Sequence, residues 1–169
     1  SAEAENEFFC DGLAEELLNA LSKIEALRVA ARTSSFSFKG KDTDIREIGQ
    51  KLNVSTVLEG SVRKAGNRLR ITAQLVNVTD GYHLWSEKYD RQMEDIFDIQ
   101  DEISLAIVNA LKVTLLGAEK EAVLKRYTDN TEAYQLYLQG RYHYNRWTEE
   151  GFQRAIESFD MALAIEPDY

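Results

Sequence analysis

Apolar residues recur along this chain with two different periods, and the change of period divides it. Leu13, Leu17, Ala20, Leu21 and Ile24 lie on one helical stripe, which predicts a helix from about 12 to 25 with Asp11 placed to accept hydrogen bonds from its first turn. The short apolar run 27–31 predicts a buried strand, and the polar stretch behind it leads to Phe36 and Phe38. Asp44 with Glu47 three residues on forms a capping-box pattern, and Ile45, Ile48 and Leu52 give the helix behind it one apolar stripe ending near Asn53.

From Ser55 the period becomes two. Residues 56–64, 68–78 and 82–89 read as three strands, joined at Gly66-Asn67 and Asp80-Gly81, pairs that tolerate the positive φ of tight hairpins. In the second strand Leu69, Ile71, Ala73 and Leu75 point to one side, and Arg68, Arg70, Thr72 and Gln74 to the other; the phase slips at Val76 and Val78, which predicts a bulge. Ile96, Ile99, Ile103, Ala106, Ile107, Ala110 and Leu111 then trace a long helix over 94–116 that should lie across the sheet, with Gly117 as a stop or a kink. Residues 118–126 read as a polar helix, and 128–131 is the best domain boundary, with Asn130 or Thr131 capping the next helix.

Composition narrows the function classes. With 169 residues and 44% apolar content the chain can build a core, so disorder is excluded as its main state. A net charge of −9 argues against a general nucleic-acid binder, although the middle, 28–91, carries +5 between ends of −6 and −8. Cys10 is the one cysteine, so no intrachain disulfide forms, and no apolar run reaches the length of a membrane helix. Cytoplasmic placement is favoured; a periplasmic one would follow from a membrane span upstream.

Candidate chemistry is sparse. Arg63, Lys64, Arg68 and Arg70 surround one hairpin and read either as a solvated sheet face or as an anion or partner patch. His83, Trp85 and Tyr89 share a face of the third strand and read as packing residues. Asp95, Asp98, Asp101 and Glu102 crowd the start of the long helix, where the dipole favours negative charge, without the spacing of a calcium loop. Cys10 beside a helix N-terminus reads as a small packing residue, the alternative being a thiol of lowered pKa. No phosphate loop, serine elbow or kinase signature occurs, so no cofactor, metal or catalytic residue is expected. A phosphate- or nucleotide-binding enzyme using 32–35 with the basic hairpin is a remote alternative.

The last forty residues carry a more specific pattern. Ala155, Phe159, Ala162 and Pro167 resemble the second half of a tetratricopeptide repeat, whose small residues let two antiparallel helices touch. Gly140 precedes Ala155 by fifteen residues where such repeats use about twelve, so the turn holds an insertion of about three. With Gly140 as anchor, the face that lines the groove of such arrays falls at Tyr134, Tyr137, Arg141 and Tyr144. These residues either bind a protein or peptide partner or pack on the preceding domain. Since one repeat cannot bury its own apolar face, the chain is expected to stop inside an array.

Upstream, Phe9-Cys10-Asp11-Gly12-Leu13-Ala14-Glu15-Glu16-Leu17, Ala31-Arg32-Thr33-Ser34-Ser35-Phe36, Phe38-Lys39-Gly40, Val57-Leu58-Glu59-Gly60-Ser61-Val62-Arg63, Arg70-Ile71-Thr72-Ala73-Gln74-Leu75 and Leu84-Trp85-Ser86-Glu87-Lys88-Tyr89-Asp90 together resemble the TolB amino-terminal-like domain. The resemblance covers about 7–116. It implies an α/β (α+β) fold with a mixed, mainly antiparallel sheet of about five strands flanked by helices, followed by the helical hairpin. It also implies a non-catalytic regulatory or protein-interaction module of a bacterial signalling protein, downstream of a class III adenylate or guanylate cyclase domain or a winged-helix regulator domain. The expected organisation is a tag or disordered lead over 1–6, the α/β domain over 7–127 and a first repeat over 128–169. Residues 1–7 cannot supply the apolar strand with which relatives begin, so a shortened sheet, or a homodimer covering its edge, is expected.

Overall fold

Alternation of apolar and polar side chains builds the sheet. A computed structural model of the chain describes residues 2–113 and 115–169. Strands β1 (Thr56–Ala65), β2 (Arg68–Asn77) and β3 (His83–Gln92) pair antiparallel in the order β1-β2-β3. The register shift expected from the slipped phase lies between Leu75 and Val76. Leu69, Ile71, Ala73 and Leu75 of β2 are buried, while the other face carries cross-strand polar pairs such as Ser61 with Thr72 at 2.8 Å. The fold is α/β of the α+β kind, and its sheet, wholly antiparallel, has three strands among the described residues, fewer than the five implied by resemblance.

Around the sheet run α1 (Ala2–Leu21), α2 (Arg32–Phe36), α3 (Ile45–Leu52), α4 (Ile96–Ala110, after a 3₁₀ turn at Met93–Asp95), α5 (Gly117–Val123), α6 (Thr131–Tyr144) and α7 (Glu149–Ile165). Phe9, Leu13, Leu17 and Leu21 of α1, with Ile24 just beyond it, share one core with β2 and with Ile96, Ile99, Ile103 and Ile107 of α4. Each such side chain taken fully out of water contributes roughly 1.5–3 kcal/mol. Asp44 caps α3 by accepting from the Arg46 N–H at 2.8 Å, whereas Glu47 turns away from the expected capping box to pair with Lys51.

Four further expectations change. First, α1 starts at Ala2, ten residues earlier than expected, and takes in 2–6; Ser1 lies outside the described residues. Its first turns are polar but composed of good helix formers, and they are held by Asn6 accepting from the Lys64 N–H at 2.6 Å and by a Glu5–Lys64 ion pair. Asp11 is therefore not a cap but a mid-helix partner of Lys39 at 2.6 Å. Second, Cys10 also sits inside the helix, where burial and the adjacent Asp11 push its thiol pKa up; the lowered value of a helix N-terminus does not apply. Third, 27–31 is not a strand. No ladder partner reaches it among the described residues, and Val29 is exposed: apolarity without a partner leaves backbone groups to water. Fourth, the long helix stops at Ala110, because Lys112 adopts a left-handed φ of 54° and the Val113 N–H returns to the Val108 carbonyl at 3.1 Å, while Gly117 begins α5. Position 114 of the expected helix lies outside the described residues.

Helices α6 and α7 form an antiparallel hairpin. Asn130 caps α6, its side chain accepting from the Glu132 and Ala133 N–H groups at 3.0 Å each, and Thr148 caps α7 by accepting from the Gly151 N–H at 3.0 Å. Between the helices Ala155 and Ala162 are buried, and a Cβ on Gly140 would stand 2.3 Å from the Phe159 ring, so only a glycine permits this approach. Thr128 donates to Glu166, tying the start of α6 to the end of α7.

Candidate functional site: the cleft between the sheet domain and the hairpin

Helix α1 packs on the sheet with one face and on α6 with another. At that second seam Gly12 meets Leu138 so closely that a Cβ would be 2.7 Å from the leucine side chain. One turn further, Glu15, 6% exposed, accepts from Arg32 at 3.1 Å, from Asn145 at 3.2 Å and from Arg141. A buried carboxylate thus joins α1, α2 and α6 at one point. Arg141 leaves its Nε without a partner there, as does the Nδ1 of the nearby His143, whose pKa burial and then the charge of Arg154 push down.

The structure separates the four residues expected to line a groove. Tyr134 is buried and its hydroxyl accepts from Gln100; Tyr137 donates to Glu16 at 3.5 Å; Arg141 is paired with Glu15. These three face α1 and α4, the packing alternative of the two sequence readings. Burial, then the charge of Glu16, raises the Tyr137 pKa to about 12. Tyr144 is exposed and packs in a triangle with Trp147 and Phe152, ring centroids 5.6 to 5.9 Å apart, at the turn between α6 and α7.

The basic hairpin is likewise divided. Arg68 and Arg70 both bind Asp90 at 2.8 Å, which holds that carboxyl down at about 2, and Lys64 lies on the core side against Glu5. Arg63 is exposed, with no ion pair among the described residues. Asp98 and Asp101 share Arg126 at 2.9 and 2.8 Å, and Glu102 makes a two-pronged pair with Arg91 at 2.7 and 2.9 Å, so these acids serve ion pairs. Tyr89 is buried and Trp85 packs on the core, while His83 is exposed.

What sequence reasoning missed is the cleft itself. A cavity of about 630 Å³ opens between α1, α4, the α5–α6 connection and α6–α7, walled by Leu17, Phe97, Val123, Phe159 and Tyr169. Glu16 lines it, and burial and the neighbouring Glu15 raise its pKa against the opposing influence of Arg141 and Tyr137. A carboxyl with a raised folded pKa binds protons more tightly in the folded state, so stability falls as pH rises from the unfolded value through the folded one. Glu16→Gln should therefore gain stability relative to the parent chain at pH 7. That gain should fade below about pH 4, where both forms are neutral. Urea melts at the two pH values check this, and an equal difference at both would contradict it.

Comparison with known proteins agrees with a regulatory setting. The family model for the second domain of HilA/YgeH-like transcriptional regulators matches residues 3–106. The chain is 44% identical over 167 residues to a Rhizobium meliloti (strain 1021) protein named "Putative adenylate cyclase 3". That alignment covers 99% of the chain and 28% of the relative, so the chain spans little more than a quarter of the relative's length. The chain belongs to the HilA/YgeH-like regulator second-domain family. No helix among the described residues is long and apolar enough to cross a membrane.

Proposed function

We propose that this chain is a non-catalytic regulatory and protein-interaction module of a multidomain signal-transduction protein of adenylate cyclase type, a TolB-like α/β domain carrying a tetratricopeptide-type hairpin. The observation that carries the reading is the alignment of nearly the whole chain to about a quarter of a cyclase-named protein. The side chains support it: many of the acids and bases are paired with one another, as at Glu15–Arg141, Asp90–Arg68 and Glu102–Arg91. A second reading, the sensor module of a winged-helix transcriptional regulator, draws on the name of the matching family.

The partner in the first reading is the remainder of the parent protein, and its contact is the aromatic triangle of exposed Tyr144 and Trp147 with half-buried Phe152. Trp147 is 71% exposed on a left-handed φ of 53°, an unusual position for a bulky residue, and aromatic anchors dominate binding energy at interfaces. Titrating the chain onto the separately purified remainder should give a complex that Trp147→Ala weakens about tenfold. The chain alone should form no cyclic nucleotide from ATP or GTP with magnesium or manganese. Cyclisation by the chain alone, or the absence of any complex, would overturn the reading.

A further inference from the structure

The cleft has the volume and lining of a small-molecule site. At about 630 Å³ it falls in the range of known ligand pockets, which are mostly apolar with a few convergent polar groups. Its wall is a run of aromatic rings: Phe97 lies 4.9 Å from Tyr134, Tyr134 lies 6.5 Å from Tyr137, and Tyr137 lies 6.3 Å from Phe159 and 5.6 Å from Tyr169, centroid to centroid. Beside these rings sits Glu16. Its one side-chain hydrogen bond among the described residues is the 3.5 Å contact from Tyr137, and no cation pairs with it there. The adjacent Glu15, by contrast, is surrounded by donors.

A half-buried carboxylate that makes no ion pair among the described residues, in a cleft lined by several aromatic rings, is complementary to an organic cation even with the charge of Arg141, already paired with Glu15, nearby. We propose that this cleft binds a small ammonium compound with an apolar or aromatic body, the ammonium against Glu16 and the body along the wall of rings. The basic residues that line the cleft do not oppose this. Arg126 is neutralised by Asp98 and Asp101, and Lys23 and Lys125 are exposed at the mouth, where water and salt screen them. A polar or anionic tail on the ligand would face those two lysines. The proposal is independent of the cyclase reading, since it requires only this chain.

Phenethylamine and its neutral counterpart 2-phenylethanol are the probes, titrated into the chain by calorimetry and followed by ligand-observed NMR. Phenethylamine should bind with a Kd below about 1 mM and at least about tenfold more tightly than 2-phenylethanol. Glu16→Gln should erase the difference between the two. If that variant does not fold, Tyr169→Ala, which trims one ring at the last residue, should weaken phenethylamine at least about threefold. Equal binding of amine and alcohol, no binding of the amine at 10-fold higher concentration, or unchanged binding to a folded Glu16→Gln variant would overturn the proposal.

Discussion

Glu15→Ala should lower the stability of the chain by about 3 kcal/mol, which for a chain of this size means a fall in Tm of roughly 6–12 °C. The carboxylate is 6% exposed and accepts from Arg32, Arg141 and Asn145. Removing it leaves two guanidinium groups facing each other without an anion between them, and the loss of one partner from a buried pair costs far more than the pair contributes over an apolar replacement. The side chains of Arg32 and Arg141 keep 23% and 35% exposure, which lets water recover part of the loss and puts the effect at the lower end of the buried range. Glu15→Gln, which keeps the shape and can still accept hydrogen bonds, should cost less. Thermal and urea unfolding read both, and a loss below about 1 kcal/mol for the alanine variant would mean that the knot does not hold the seam.

Leu138→Ala should cost about as much, roughly 3 kcal/mol, for a different reason. Leu138 is 1% exposed and fills the space above Gly12, where α1 and α6 come closest. Truncation removes apolar contact and leaves a void between the two helices that their other packed side chains keep from closing fully. Tyr144→Ala on the same helix should cost only about 1 kcal/mol, since its ring is largely in water and gives up just its contacts with Trp147 and Phe152. Urea melts of the pair give the comparison. Similar effects from both positions would contradict the inward orientation of this helix face. Glu15 and Leu138 share the α1–α6 seam, so their effects should not add.

The strands were legible in the sequence because period-two alternation runs through most of β2 and tight-turn pairs bound it on both sides, and even the bulge at Leu75/Val76 announced itself as a slip of phase. The small residues at 140, 155 and 162 likewise pointed to two touching helices. The start of α1 was hidden because its first turns are polar all round: they rest on Lys64, a residue fifty-eight positions away, and no apolar stripe marks them. Residues 27–31 misled for the opposite reason, an apolar run with no neighbour to pair with. Of the four residues assigned to one face of this helix, Tyr134, Tyr137 and Arg141 face inward and Tyr144 does not; the sequence could not say what covers that face, since Glu15 and Glu16 lie more than a hundred residues upstream. The cleft was invisible for the same reason: its walls come from at least four elements, and no local motif records their meeting.

The proposed function rests on α1 coupling the sheet to the α6–α7 hairpin as one unit. On the proposed cyclase reading, the direct test is to place Glu15→Gln in the parent protein and take the ratio of its cyclic-nucleotide output to that of the unsubstituted protein, alongside Tyr82→Ala, an exposed position away from the seam. The proposed function predicts that Glu15→Gln moves this ratio away from unity at least about threefold while Tyr82→Ala leaves it at unity. A ratio of unity in a folded Glu15→Gln protein would contradict it.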